Sequence, residues 1–141
     1  MTKLSPHFSL AELTVTSTGL SNQPNAQQLA RLTKVAEQME AVRKLLGSPI
    51  SVNSGFRSAA VNRAVGGSQT SAHALGYAVD FVCPGYGDPM AICKAIAASG
   101  IKFDQLIMEK NRWVHISFDP RMRQQVLSWW GGAYRPGLYD K

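Results

Sequence analysis

Cysteine is scarce in this chain. Cys83 and Cys93 are its only two among 141 residues. They are too few for a disulfide framework and lack the CxxC spacing of a redox pair or a structural zinc knot. Both read as free, partly buried thiols. No run approaches the roughly 18 apolar residues of a membrane-spanning helix, so no membrane partner is expected. Acidic residues are few as well: nine against fifteen Lys and Arg, a net charge of +6. That excess favours an anionic partner. The cations are scattered, densest at Lys110–Arg112 and Arg121–Arg123, and no basic stripe interleaved with aromatics appears. No nucleic-acid partner is therefore expected. The chain also lacks a Gly-x-Ser-x-Gly elbow and a His-Glu-x-x-His helix, which removes support for serine-hydrolase and thermolysin-like chemistry. Its first residues, Met1 to Phe8, show neither an apolar core nor a small-residue cleavage site, so no signal peptide is read there.

What the chain does contain is an ordinary globular composition, 45% hydrophobic, without repeats or low-complexity tracts. Its length suits one domain over residues 1–141, expected as a monomer. Ser9-Leu-Ala-Glu12 reads as a capping box opening a short helix. Residues 14–25 read as a surface loop. Leu29, Leu32, Val35, Ala36, Met39, Val42, Leu45 and Leu46 recur at helical spacing up to Gly47, a scaffold helix. Residues 49–55 alternate as a strand, and Ser58 caps a short helix reaching Val65. A flexible loop, 66–71, leads into His73. Residues 77–82 read as a second strand. Asp88-Pro89 opens a helix ended by Gly100. Residues 103–109 and 113–118 form two strands around the turn Lys110-Asn-Arg112. Asp119-Pro120 is expected to start a last short helix, followed by a Gly/Pro-rich aromatic tail. The fold class is α+β, a small, largely antiparallel sheet covered by helices. His7 is expected to pack.

The chemistry concentrates in Ser71-Ala-His-Ala-Leu-Gly-Tyr-Ala-Val-Asp80 and Trp113-Val-His-Ile-Ser117. Two imidazoles and a carboxylate make a three-ligand set with an open position, as catalytic zinc requires. Such an ion lowers the pKa of a bound water and polarises a carbonyl. Asp80 lies in an apolar strand, where an ionised side chain is unfavourable unless paired or bound to metal. Alternation places Trp113, His115 and Ser117 on one face and Val114, Ile116 and Phe118 towards the core.

His-x6-Asp followed by Trp-x-His resembles the M15 zinc peptidases, which include D-Ala-D-Ala carboxypeptidases and phage endolysins that cut peptidoglycan stem peptides. The resemblance is strongest to short, phage-type members. It runs through Pro6-His-Phe-Ser-Leu10, Val52-Asn-Ser-Gly-Phe-Arg-Ser58, Gly66-Gly-Ser-Gln-Thr-Ser-Ala-His73, Asp80, Phe103-Asp-Gln-Leu-Ile107 and Trp113-Val-His-Ile-Ser117. It implies zinc, one ion per chain, on His73, Asp80 and His115, and a small α+β fold shared with the hedgehog signalling domain. It also implies that Arg57 holds the substrate backbone or the developing oxyanion, a role suited to a rigid guanidinium fork. Peptidoglycan stem peptides would be the substrate. Synthesis in a host cytoplasm, with action on the wall after release, is the expected setting.

One departure matters. Many relatives place the general base three residues before the last histidine, or a histidine two before it. Here those positions hold Arg112 and Trp113, and neither accepts a proton from water. If Lys110-Asn-Arg112 is a three-residue hairpin loop, Glu109 shares a face with His115 and becomes the candidate base; a two-residue turn would put it on the opposite face. Gln105 falls on the same face. Gln105, Ser71 and Trp113 are candidate substrate-binding residues beside Arg57, and Asp104 is expected to be exposed or structural. The missing base also leaves open a non-catalytic, zinc-containing module that binds peptidoglycan.

Overall fold

A computed structural model describes residues 2–141. Strands β1 (Lys3–Ser5) and β2 (Phe8–Ser9) form a small hairpin ahead of α1 (Leu10–Leu13). The Ser9/Glu12 capping box is present, each side chain satisfying the other's backbone N–H. The long helix α2 (Ala26–Leu46) begins at a second such box, Asn25/Gln28, and stops at Gly47. Its buried stripe is Leu32, Val35, Ala36, Met39, Val42 and Leu46, the helical periodicity of the sequence. Glu40 on the same helix anchors the N-terminal hairpin. It accepts from Ser5 Oγ at 2.6 Å and from the His7 backbone N–H at 2.7 Å, and pairs with His7 Nδ1 at 2.6 Å. His7 is therefore not a packing residue: its ring is half exposed and held by its hydrogen bond to Glu40.

The rest of the chain builds the main sheet and its cover. In order come β3 (Ser51–Ser54), α3 (Ala59–Ala64), α4 (Ala72–Leu75), β4 (Ala78–Val82), α5 (Pro89–Ala98), β5 (Gln105–Glu109), β6 (Trp113–Ser117), β7 (Gln125–Trp130) and β8 (Ala133–Pro136). The sheet has six strands in the order β3-β4-β6-β5-β7-β8. Neighbours pair antiparallel except β5 and β7, which run parallel. The mixed α/β class agrees with the α+β reading, but the sheet is larger than the small one expected.

Alternation gives this sheet two unlike faces. Val79, Phe81, Leu106, Met108, Val114 and Ile116 point to one side and join α2 and α5 in the core. Phe81, Leu106, Met108 and Ile116 are fully buried, each contributing about 1.5–3 kcal/mol by removal from water. Cys83 and Cys93 are buried free thiols in this core, and burial pushes Cys93 up to about 12. The opposite face carries Asp80, Gln105, Glu109, Trp113 and His115, which line a cleft.

The region after β6 departs from the sequence reading. No helix begins at Asp119-Pro120; Asp119 instead accepts from the Arg121 backbone and guanidinium, closing a turn. The tail is the β7–β8 hairpin. Asp104, buried and structural, fixes this connection through a two-pronged pair with Arg123, Nε to Oδ1 and Nη2 to Oδ2, both at 2.8 Å. Those bonds hold the Asp104 carboxyl below the usual carboxylate range against the opposing effect of burial. They seat β7 beside β5.

Candidate functional site

The loop over residues 66–71 leads into a compact turn of helix that carries His73. Ser71 caps α4, its hydroxyl accepting from the His73 N–H at 3.2 Å, and Gly76 ends the helix in a left-handed conformation. A serine cap and a terminal glycine four residues after Ala72 are enough to fold one turn. The ring of His73 then points under the sheet end, where its Nδ1 donates to the Gly55 carbonyl at 2.8 Å. That bond fixes the tautomer and leaves Nε2 with its lone pair facing the cleft.

Strand pairing supplies the other two groups. Asp80 on β4 stands directly across from His115 on β6 and from Ser54 on β3. Asp80 Oδ1 lies 3.1 Å from His73 Nε2 and 2.9 Å from His115 Nδ1. The two imidazoles meet edge to face, centroids 5.1 Å apart. One ligand atom from each of the three residues falls within 4.8 Å of the others. His73 and Asp80 are buried, yet the cleft above them is open, about 670 Å³. Burial favours the neutral His73 imidazole, outweighing the pull of Asp80. Asp80 is also opposed by burial, but both histidines hold its carboxyl well below the usual range. A neutral His73 imidazole beside an ionised carboxylate is the pairing that a metal ion needs. The donor set, two N and one O, suits zinc, which three such ligands would hold with a position left for water or substrate.

Arg57 reaches this cluster from the β3–α3 connection. Its Nη2 is 3.9 Å from Asp80 Oδ2, and its Nε donates to Ser54 Oγ at 3.4 Å. The guanidinium thus lies along the cleft wall instead of forming a surface ion pair. Buried Asn62 shapes the loop beside it, donating to the Ser68 carbonyl at 2.8 Å. A Cβ on Gly67 would strike that amide at 2.1 Å.

Glu109 falls on the cleft face because the hairpin loop has three residues. Glu109 faces Trp113, Ile107 faces His115, and Gln105 faces Ser117. Glu109 and His115 are diagonal neighbours, about 7–8 Å apart at the backbone by ordinary ladder geometry, which leaves room between them for a water. Burial lifts the Glu109 carboxyl above its usual range. The Asp80 charge adds to that rise, while His115 and Lys110 oppose it. Gln105 lines the cleft, but its amide already donates to Gln125 Oε1 at 2.9 Å. Ser71 and Trp113 line it too.

Among the cleft residues that escaped the sequence reading are Leu127, Trp129 and Tyr134, all on the C-terminal hairpin. Trp129 and Tyr134 sit opposite each other across β7 and β8, rings edge to face at 6.3 Å. The signal was present in Gly131-Gly132, a two-residue turn between aromatic runs. Both glycines have positive φ, 58° and 87°, as a tight hairpin turn demands.

The carbonyl that orients His73 depends on a close backbone approach. A Cβ on Gly55 would lie 2.4 Å from the Leu13 carbonyl oxygen, on α1. Gly55→Ala therefore has to displace one backbone or the other. The expected outcome is a ten- to hundredfold loss of zinc affinity, the usual scale for damage to a ligand's supporting hydrogen bond, with all three ligands still in place. Competition with a chromophoric chelator measures it; unchanged affinity in a folded variant would refute the link.

No curated protein matches the chain. The family model described as Peptidase M15 matches residues 6–117, a span that holds Arg57, His73, Asp80, Glu109 and His115 and stops short of the C-terminal hairpin. The chain belongs to the Peptidase M15 family.

Proposed function

We infer that the chain is a zinc-dependent peptidase that hydrolyses the stem peptide of bacterial peptidoglycan. The observation that carries this reading is the convergence of one ligand atom each from His73, Asp80 and His115 within 4.8 Å at the floor of an open cleft. Family membership supports a peptide substrate. When bound, zinc supplies Lewis acidity towards water and the scissile carbonyl.

The chain's own residues do the rest. Glu109 accepts a proton from the attacking water as its oxygen bonds to the carbonyl carbon. It returns that proton to the amide nitrogen as the carbon–nitrogen bond breaks, so a carboxylate and an amine leave. Arg57 donates to the carbonyl oxygen as negative charge develops there. Asp80 keeps the two imidazoles aligned, and the Gly55 carbonyl keeps His73 in its ligating tautomer. The net charge of +6 suits an anionic cell wall. A phage-type lysin made in the host cytoplasm and reaching the wall on release is the setting this reading implies. Among the described residues no helix is long and apolar enough to cross a membrane.

Mass spectrometry of muropeptides incubated with the zinc-loaded protein tests the reading and identifies the bond. A new amine and carboxylate pair within the stem separates endopeptidase from D-Ala carboxypeptidase action. Tight muropeptide binding without any new amino terminus would assign the chain to the non-catalytic binding module instead.

A further inference from the structure

Beyond the cleft, on the far side of Trp129, lies a second hollow of about 410 Å³. Its lining includes Lys110, Arg112 and Lys141 beside Trp129 and Trp130, and no acidic side chain. Lys110 and Trp129 line the hollow and the cleft alike, so the two spaces share a wall.

Lys110 is held there by its surroundings. Its Nζ stands 4.7 Å from the Trp129 ring centroid and 6.0 Å from that of Trp113, a double cation–π contact. Its backbone N–H donates to the Trp129 carbonyl at 3.0 Å, tying the loop to the hairpin. The next residue, Asn111, is fixed on both sides of its amide. Its Oδ1 accepts from the Met90 N–H at 2.9 Å, and its Nδ2 donates to Asp88 at 3.2 Å. Trp130 is anchored through Nε1 to the Tyr139 carbonyl at 3.0 Å. The loop that presents Lys110 and Arg112 is thus ordered before any ligand arrives, which lowers the entropy lost on binding.

We propose that Lys110, Arg112 and Lys141, set against the indoles of Trp129 and Trp130, form a substrate subsite that holds a free carboxylate of the peptide whose scissile bond lies in the cleft. The inference rests on the peptidase reading of that cleft. Because Lys110 and Trp129 border both spaces, a peptide bound in the cleft passes within reach of the cations of the hollow. The anionic group that a peptide offers is a carboxylate. Lys110, Arg112 and Lys141 are exposed, so their charges are open to an incoming carboxylate. A stem peptide offers two such groups, the α-carboxylate of its γ-linked D-Glu and its C-terminal carboxylate.

The test uses the zinc-loaded full chain and three synthetic peptides: L-Ala-γ-D-Glu-L-Lys-D-Ala-D-Ala, the same with its D-Glu carboxylate amidated, and the same with its C-terminus amidated. The chain's three tryptophans, Trp113, Trp129 and Trp130, all line the cleft or the hollow. Rapid-mixing tryptophan fluorescence therefore reads binding before turnover. One amidation is expected to weaken binding about tenfold, the scale of a lost hydrogen bond to a charged group, and it identifies the carboxylate. Lys110→Met should abolish that discrimination and raise KM for the unmodified peptide about tenfold; Lys110→Arg should restore the discrimination. Equal binding of all three peptides to the native chain overturns the subsite, as does a Lys110→Met variant that weakens all three alike. Carboxylate-dependent binding without cleavage leaves the subsite standing and removes the peptidase reading. Cleavage without discrimination does the reverse, and an absence of both binding and cleavage removes both.

Discussion

Glu109→Gln lowers stem-peptide turnover by about two to four orders of magnitude, the range that a positioned general base supplies, while the chain still binds one zinc ion. The substitution keeps the shape and removes only the ability to take a proton. Nothing nearby replaces it: Arg112 and Trp113 hold the positions where a base is otherwise found, and Ser71 spends its hydroxyl on capping α4. The pH profile of the native enzyme carries the same signature. Glu109 works only as a carboxylate, and its pKa in the free cleft is raised by burial. Activity therefore falls as pH drops and the carboxylate takes up its proton, and this acid limb of kcat/KM is lost in Glu109→Gln. In Glu109→Asp the shorter carboxylate stays acidic but retreats from the cleft, so kcat drops more than KM rises. Steady-state kinetics with zinc content measured on the same samples decides the matter. Full activity of the glutamine variant would take Glu109 out of the mechanism.

Asp80→Asn is expected to be as damaging by a different route. The carboxylate is the only anionic donor of the three and touches both imidazoles through one oxygen. An amide keeps the volume and loses the charge, so zinc affinity falls by at least about a hundredfold, beyond what loss of a supporting contact produces. Activity disappears at ordinary zinc concentrations. The thermal melt separates this from misfolding. Zinc at a hundredfold excess over its Kd stabilises the native chain by about 2.7 kcal/mol through mass action and raises its Tm. The variant should melt cooperatively near the temperature of the chelated native chain and show no such rise. A variant that still gains stability from zinc would show that Asp80 is not a ligand.

Much of this was legible because local signals and tertiary structure agree. α2 follows the spacing of its buried stripe and ends at its glycine. The β5–β6 hairpin keeps strict alternation, so its three-residue loop placed Glu109 and His115 on one face. The C-terminal hairpin was harder to read. In Gln125-Val-Leu-Ser-Trp-Trp130 both faces carry apolar residues, since one side packs on the core and the other lines the cleft, and the period-2 signal cancels. Its parallel pairing with β5 depends on the Asp104–Arg123 pair, a contact between segments that no local pattern joins. The one-turn helix around His73 is too short for periodicity, and only its two caps mark it. His7 looked apolar in company with Phe8, but its partner Glu40 lies on another element.

The contact between Gly55 and Leu13 gives the N-terminal segment an unexpected part in metal chemistry. Leu13 ends the helix that the Ser9/Glu12 box begins, and its carbonyl also accepts the Phe56 N–H at 2.8 Å. A strand end, a helix terminus and an imidazole are thus linked as a short lever, with residues that never meet the ion at its far end. Metal retention is therefore expected to depend on that opening helix as well as on the ligands. Drift in its caps would surface first as zinc leaking from an otherwise intact fold.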